Sequence, residues 1–203
     1  MDNELIKYLE INHIPYETHV DLKKKTWIHR GGECGLFISP NSSGQLLSVA
    51  RYLYSKNIKF QLLGHTSNVY ILNTCNIPVV VSTKKCSHFE LTADGIVCES
   101  GVGVIRMAND MVQRGISGFE YLTGLPGTIG AAIYNNSSCK SNSISALLVS
   151  AEVLLSDGRL VTMTAEDMEY QFRSSIFKEG RLRGVIITVV LRAVEGDSKL
   201  FQQ

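Results

Sequence analysis

The stretch of this sequence that says most about chemistry is residues 122–132, LTGLPGTIGAA. Its three glycines let a ligand or another backbone approach the main chain closely, and Pro126 stiffens the turn. Thr128 stands where the N-cap of a short helix is expected, ahead of small residues. Free amide groups at such a helix start favour a phosphate or a diphosphate. The alternative is a tight structural turn with close helix packing.

A second polar loop, residues 64–68 (GHTSN), directly follows a predicted strand. In α/β sheets, ligands bind at the carboxyl ends of parallel strands. Thr66, Ser67 and Asn68 are hydrogen-bond donors that suit phosphate oxygens without carrying charge. We interpret His65 as a solvated loop histidine. The two loops together predict a site for an anionic ligand.

The sequence lacks three common binding motifs. No Lys-Ser or Lys-Thr pair follows the glycines of residues 122–132, so this loop is not a nucleoside-triphosphate P-loop. Gly101 and Gly103 begin a G-x-G-x-x-G pattern, but Arg106 occupies the position of its third glycine. The five cysteines form no Cys-x-x-Cys pair and no zinc-type spacing, so we predict no metal site.

Composition and charge narrow the class of protein. The chain has 203 residues, 44% of them hydrophobic and 19% charged, which is typical of a globular protein. The formal net charge is +1 and the basic residues are scattered, so neither nucleic acid nor a membrane surface is expected as a partner. No apolar run is long enough to cross a bilayer, and the first four residues do not resemble a signal peptide. We therefore expect a reduced, cytoplasmic protein.

The hydrophobic pattern predicts a first group of elements that holds the loop at residues 64–68. It begins with a helix over residues 3–12 and continues with a β-α-β unit whose two strands run parallel. Asn57 is expected to end the helix of that unit in a left-handed conformation. The strands are predicted at residues 35–39, 59–63, 69–72 and 79–82.

A second group of elements surrounds the glycine-rich loop. The pattern predicts strands at residues 95–99, 147–155, 160–164 and 184–192, and helices at 104–114 and 165–170. The apolar face of the longer helix is predicted to consist of Ile105, Ala108, Met111 and Val112. We therefore divide the chain into lobe 1, residues 1–83, and lobe 2, residues 84–203.

Four stretches in this order resemble the UDP-N-acetylenolpyruvoylglucosamine reductase (MurB) family of peptidoglycan biosynthesis. They are TWIHRGG (26–32), LGHTSN (63–68), GFEYLTGLPGT (118–128) and FRSSIFK (172–178). The resemblance extends from about residue 20 to about residue 193. It implies an α+β, two-lobed FAD-binding fold of the vanillyl-alcohol-oxidase/MurB type (PCMH-type), with FAD between the lobes as a cofactor and NADPH as the electron donor.

The resemblance also implies roles for particular residues. Arg173 matches the arginine that holds the enolpyruvyl carboxylate of the substrate and stabilises the charge that develops beside it. The alternative for Arg173 is a surface ion pair with Glu169 or Glu179. The positions implied to contact the cofactor are Gly64, His65, Thr66, Ser67, Asn68, Gly101, Gly103, Thr123, Gly124, Pro126, Gly127, Thr128, Gly130, Ala131, Asn136 and Val185.

The sequence departs from the family pattern in two ways. His65 and Thr66 replace part of a glycine-rich run, and the family's C-terminal substrate domain, with its proton-donating serine and a glutamate, finds no match here. Ser174 and Ser175, which follow Arg173 directly in the sequence, are the candidates to replace that serine as the proton donor. Three hypotheses follow. The first is an FAD-dependent oxidoreductase whose missing substrate domain is either dispensable or supplied by a partner protein. The second is a flavin-binding module without turnover of its own, and the third is a degenerate fold without cofactor.

Overall fold

The computed structural model of this chain describes residues 3–139 and 142–195. The helices in this part of the chain are α1 (Asn3–Ile11), α2 (Ser43–Ser55), α3 (Val104–Gln113) and α4 (Ile129–Asn135). Its strands are β1 (Tyr16–Asp21), β2 (Glu33–Ile38), β3 (Gln61–Leu63), β4 (Asn76–Ser82), β5 (Phe89–Thr92), β6 (Gly95–Glu99), β7 (Ile116–Ser117), β8 (Ser138–Cys139), β9 (Asn142–Ser143), β10 (Leu148–Leu155), β11 (Leu160–Met163), β12 (Gly184–Leu191) and β13 (Val194–Glu195). No helix of the described residues is long and apolar enough to span a membrane.

The first sheet has the strand order β1-β2-β4-β3, with β1 antiparallel to β2 and the other three strands parallel. The predicted β-α-β unit is present as β2-α2-β3, but β4 lies between its two strands. The Ser42 hydroxyl accepts a hydrogen bond from the amide of Gln45 and so caps the start of α2. Asn57 follows the helix with a φ of 54°, as the sequence predicted.

The second sheet has the order β11-β10-β12-β6-β5 and is antiparallel throughout. The predicted hairpin between β10 and β11 is confirmed, and its turn is closed by a hydrogen bond of 3.0 Å from the Arg159 amide to the Asp157 carboxylate. Helix α3 ends before Gly115, whose φ of +76° lets the chain turn away. The predicted strands and the longer helix of this region are therefore confirmed.

The described residues form three hydrophobic clusters. The first lies between the second sheet and helices α3 and α4, and Met107, Phe119 and Ile129 are fully buried in it. The second lies under α1 and α2 and includes Val185 and Ile187 of β12. The third is smaller and is built from the first sheet and the segments beside it, including Leu22, Phe37 and Ile71. Helix α2 therefore packs on the second sheet, so the two sheets share a core. The first sheet uses residues 16–82 and the second residues 89–191, and the lobe boundary at residue 83 stays a proposal.

The strand predicted at residues 69–72 is wrong. This segment is an irregular connection, and only the side chain of Ile71 is buried. The side chains of Tyr70 and Leu72 are 70% and 56% exposed, so the apolar run does not face a core on both sides. A run of apolar residues that has neither a buried face nor a neighbouring strand forms no ladder.

The helix predicted at residues 165–170 is also wrong. The segment consists of hydrogen-bonded turns, and Glu169 reverses the chain with a φ of 47°. In α3, Ile105 is 38% exposed, whereas Val104 and Met107 are fully buried, so that part of the predicted apolar face is shifted by one residue. Val104 and Ile105 are both apolar, so the sequence alone does not decide which of the two side chains faces the core.

Candidate functional site

The two loops that the sequence singled out contact each other in the structure. The Ser67 hydroxyl donates a hydrogen bond of 3.0 Å to the Pro126 carbonyl. Gly64 lies directly against the Thr128 side chain, since a Cβ added at Gly64 would be 3.1 Å from the Cγ2 of Thr128 and closer still to its hydroxyl. A side chain at residue 64 would therefore overlap the Thr128 side chain.

A cavity of about 360 Å³ opens beside this contact. Its volume falls within the usual range of small-molecule sites. The predicted site residues that line it are Gly64, His65, Thr66, Ser67, Asn68, Gly127, Thr128, Gly130 and Ala131. Other parts of its wall come from Leu63, Tyr134, Gly184 and Ile186, and within the described part of the chain no side chain of Asp, Glu, Lys or Arg lines it.

Uncharged main-chain donors face this region. Among the described residues, the backbone amides of residues 65–68 and of Thr128 have no protein acceptor. The expectation of free amides at the start of α4 is wrong for two positions. The Ile129 amide donates to the Val102 carbonyl and the Gly130 amide to the Ser100 carbonyl, both at 2.8 Å. These amides are engaged because the Ser100–Gly103 segment pairs with the glycine-rich loop through a bridge between Gly103 and Thr128.

Two residues that line the cavity, Ser100 and Thr128, carry buried hydroxyls. Thr128 occupies the N-cap position of α4, as predicted, but its side chain makes no capping hydrogen bond. Among the described residues, its Oγ1 and the Oγ of Ser100 have no hydrogen-bond partner, and the two residues are 1% and 2% exposed. A buried polar atom left unsatisfied costs about 1–3 kcal/mol, so such an atom at a cavity points to a ligand. Sequence reasoning missed Ser100, because nothing in its neighbourhood marks it apart from the failed G-x-G pattern.

The side chains at His65 and Thr66 shape the first loop. Thr66 has a φ of 60°, which is costly for a β-branched residue, and its hydroxyl accepts a hydrogen bond of 2.8 Å from the Trp27 amide. This bond ties the loop to the TWIHRGG stretch. Burial, with a smaller effect from the nearby Lys84, lowers the pKa of His65 below its usual value of 6.5. The imidazole is therefore neutral at pH 7 and not a simple solvated histidine.

Several positions implied by the resemblance lie outside the cavity. Gly103 and Pro126 line an adjacent cavity of about 320 Å³. Gly101 is packed against the Thr83 and Cys86 carbonyls, and Gly124 has open space around it. The Val185 side chain is 2% exposed and packs in the core under α2.

Two further positions make local hydrogen bonds. The Thr123 hydroxyl donates to the Glu120 carbonyl at 2.7 Å. Asn136 ends α4 with a φ of 46°, and its Nδ2 donates to the Gln171 carbonyl at 2.9 Å. Asn136 thereby joins the end of α4 to the segment that carries Arg173.

Arg173 is exposed, and the alternative of an ion pair with Glu169 or Glu179 is wrong. Both glutamates pair with Arg181, at 2.5 and 2.9 Å respectively. The Arg173 guanidinium makes a long hydrogen bond of 3.4 Å to the Ser138 carbonyl, and among the described residues it has no ion pair. It is therefore available to an anionic ligand.

The two serines next to Arg173 are engaged elsewhere. The Ser174 hydroxyl donates to Glu179 at 3.2 Å. The Ser175 hydroxyl is buried and donates to the Tyr134 carbonyl at 2.6 Å. Ser175 is therefore a structural residue, and Ser174 would have to give up its carboxylate partner before donating a proton.

Helix α4 connects the cavity to the Arg173 segment. Its seven residues correspond to a length of about 10 Å. Thr128 and Ala131 face the cavity at its start, and near its end Tyr134 lines the cavity while its hydroxyl donates to the Phe177 carbonyl at 3.3 Å. The cavity therefore extends along α4 from its start to the end that adjoins the Arg173 segment.

Comparison with known proteins identifies relatives. A family model described as "FAD binding domain" matches residues 35–164. The UDP-N-acetylenolpyruvoylglucosamine reductase of Bacillus subtilis (strain 168) is 27% identical over 90% of this chain and 60% of its own length. UDP-N-acetylenolpyruvoylglucosamine reductase 2 of Bacillus cereus (strain ATCC 14579) is 32% identical over 86% of this chain and 58% of its own length. The chain thus spans somewhat less than two thirds of these relatives.

Solved structures show the same fold. The UDP-N-acetylenolpyruvylglucosamine reductase (MurB) of Thermus caldophilus superposes with a TM-score of 0.74 at 21% identity, covering 93% of this chain and 65% of that one. Berberine bridge enzyme superposes with a TM-score of 0.69 at 14% identity, covering 95% of this chain and 43% of that one. The predicted α+β, two-lobed FAD-binding fold and the resemblance to the reductases are confirmed. The chain therefore belongs to the FAD-binding domain family, within which it is similar to the UDP-N-acetylenolpyruvoylglucosamine reductases.

Proposed function

We propose that this chain binds FAD between its two loops and forms the flavin-carrying part of an oxidoreductase similar to UDP-N-acetylenolpyruvoylglucosamine reductase. The observation that carries the proposal is the cavity lined by uncharged donors, two of which are buried hydroxyls without a partner. Such donors suit a diphosphate, whose oxygens only accept hydrogen bonds.

The residues present fit FAD. The amides of residues 65–68 and the Thr128 hydroxyl would hold the diphosphate, and the absence of a side chain at Gly64 lets the Thr128 side chain lie against the first loop. The side chains of Leu63 and Ile186, both largely buried, give the cavity an apolar wall that excludes water from a ring. When bound, FAD supplies hydride-transfer chemistry that no side chain offers.

Arg173 is proposed to bind a carboxylate of the substrate. A guanidinium donates two parallel hydrogen bonds to a carboxylate and stabilises negative charge that builds up beside it. In this structure the group is exposed and has no ion pair among the described residues. The substrate in this proposal is a small molecule that bears a carboxylate next to the bond to be reduced, and NADPH is the electron donor.

A second candidate function is a flavin-binding module whose substrate site is completed by a partner protein or by a further domain. Two observations favour it. Phe172, next to Arg173, is 86% exposed, so the described residues leave this site open to water. The hydroxyls of Ser174 and Ser175 already have acceptors, so neither is a free proton donor.

The proposal extends to the cellular location. All five cysteines are free thiols, and three of them, Cys34, Cys86 and Cys98, are buried. Burial raises the pKa of Cys86 and Cys98 to about 12, so these thiols are unreactive at neutral pH. Unpaired cysteines are consistent with a reducing compartment, and we propose the cytoplasm.

The decisive experiment uses the full chain and FAD. FAD binding is expected to quench the flavin fluorescence and to leave a yellow protein after gel filtration. Under anaerobic conditions, NADPH is expected to bleach the bound flavin if the chain is an oxidoreductase by itself. Binding without bleaching supports the second candidate, and a colourless protein that leaves FAD fluorescence unchanged contradicts both.

A further inference from the structure

We propose that Ser100 is a further cofactor-binding residue, whose hydroxyl donates a hydrogen bond to an oxygen of the bound dinucleotide. The inference rests on the proposed FAD binding. Ser100 belongs neither to the two predicted loops nor to the positions implied by the family resemblance. It follows β6 and reaches the same cavity from the second sheet.

The backbone of Ser100 is fixed on both sides. Its amide donates to the Ile187 carbonyl at 3.1 Å, and its carbonyl accepts from the Gly130 amide at 2.8 Å. The next residue, Gly101, lies so close to Thr83 and Cys86 that a side chain there would overlap their carbonyl oxygens. The backbone of Ser100 is therefore held in place against α4.

The hydroxyl of this rigid residue is left without a partner. Ser100 is 2% exposed, and its Oγ has no hydrogen-bond partner in the described structure. In contrast, the buried hydroxyl of Ser175 donates to a carbonyl at 2.6 Å. Because a serine hydroxyl turns freely, a missing partner means that no suitable acceptor lies within reach. The fold therefore leaves this buried donor without an acceptor in a residue that lines the cavity.

Ser100 and Thr128 form a pair around Gly130. A Cβ added at Gly130 would lie 2.7 Å from the Cβ of Ser100, so the two segments are in close contact. Thr128, two residues earlier, carries the other unpartnered hydroxyl of the cavity. Both residues line the cavity, and the described lining has no cationic side chain, so the donors available to a ligand there are neutral. The chemistry suited to such a pair is a phosphate oxygen or a sugar hydroxyl.

The test compares Ser100→Ala with the wild type in titrations of FAD and of riboflavin, followed by fluorescence quenching. Alanine keeps the Cβ that packs on Gly130 and removes only the donor. The Kd for FAD is expected to rise about 3- to 10-fold, the effect of one hydrogen bond. If the acceptor is a phosphate oxygen, riboflavin binding does not change, and if it is a ribityl hydroxyl, both ligands bind more weakly. Either result supports the proposal.

Thermal unfolding of the unloaded protein separates binding from structure. Ser100→Ala is expected to keep or raise the unfolding midpoint, because it removes a buried unsatisfied hydroxyl. The matched control Ser175→Ala is expected to lower it, because the Tyr134 carbonyl loses its donor. A midpoint that falls in Ser100→Ala as it does in the control would show a structural role and overturn the inference.

The outcomes distinguish this inference from the proposed function. A wild-type protein that does not bind FAD overturns both. If the wild type binds FAD but Ser100→Ala binds it equally tightly, only the inference about Ser100 is overturned. Ser100→Cys, whose thiol is a weak donor of similar size, provides a second variant and is also expected to weaken FAD binding. Unchanged affinity in that variant would count against the inference as well.

Discussion

Gly64→Ala is a small change that tests the geometry of the two loops. The added Cβ would lie 3.1 Å from the Cγ2 and 3.3 Å from the Cβ of Thr128, and closer still to the Thr128 hydroxyl. Gly64 has no positive φ, so its backbone accepts alanine without strain. The variant therefore acts by pushing the Thr128 side chain away from the position in which its hydroxyl is proposed to hold the diphosphate.

The structure sets the size of the effect. Overpacking by one methyl group costs about 1–3 kcal/mol, which for a domain of this length lowers the unfolding midpoint by about 2–10 °C. A displaced Thr128 hydroxyl loses a hydrogen bond to a charged group, which contributes about 1.5–3 kcal/mol. The Kd for FAD is therefore expected to rise by about 10- to 150-fold.

The assay is FAD fluorescence quenching, with thermal unfolding of the unloaded protein measured alongside. Gly44→Ala is the control, because Gly44 is an exposed residue of α2 that lies in neither loop, and an added Cβ would meet only the Ser42 hydroxyl, at 3.8 Å. It is expected to bind FAD as the wild type does. If Gly64→Ala binds FAD as tightly as this control does, the assignment of the diphosphate site to the contact between Gly64 and Thr128 is wrong.

Three other variants test separate parts of the account. Arg173→Ala is expected to keep FAD binding and flavin reduction by NADPH but to lose reoxidation of the flavin by a carboxylate substrate. The control Arg181→Ala removes an exposed arginine nearby and is expected to keep all three properties. Loss of FAD binding in Arg173→Ala would show that the proposed role of Arg173 is wrong. Because burial lowers the pKa of His65 in the folded state, the unfolded chain takes up that proton more readily and stability falls as the pH drops below 6.5. His65→Gln is expected to flatten this part of the unfolding-midpoint profile between pH 7.5 and 5.5, and an unchanged profile would contradict the assigned pKa direction. Asn136→Ala is expected to lower the free energy of unfolding by about 1–3 kcal/mol in urea titrations. The variant places alanine at a helix cap with positive φ and removes the hydrogen bond to the Gln171 carbonyl. An unfolding free energy equal to that of the wild type would mean that this bond does not hold the Arg173 segment.

Local sequence signals predicted most of the regular elements. Helices α1 and α2 and the hairpin of β10 and β11 follow from apolar spacing and from residues with special backbone preferences, such as Asn57 and the turn at residues 156–159. These signals act over a few residues and need no knowledge of distant neighbours. The two loops were also identified in this way, because glycines and short polar side chains after strands are local features.

The failures arise where distant contacts decide the structure. Residues 69–72 have the composition of a strand, but no neighbouring strand pairs with them. Two amides at the start of α4 are engaged by the Ser100–Gly103 segment, which is distant in sequence from the loop. Gly130 is small because Ser100 packs against it, so there the alternative of close packing is correct.

The Ser100 hydroxyl shows the same limit for the site. A serine beside two glycines carries no sequence signal for binding, and only its burial, its fixed backbone and its missing partner mark it. The position of Arg173 was found from the surrounding motif, whereas its freedom from Glu169 and Glu179 became visible only with Arg181 in place. Pairing between exposed charges depends on which side chains the fold brings together.

The central claim is that neutral donors of two contacting loops hold the diphosphate of FAD. The most direct measurement is a comparison of wild-type affinity for FAD and for riboflavin, which lacks both phosphates, at one salt concentration. Two hydrogen bonds to a charged diphosphate correspond to at least about 3 kcal/mol, so FAD is expected to bind about 100-fold or more tightly than riboflavin. Equal affinity for the two ligands, or no saturable binding of FAD, would contradict the claim.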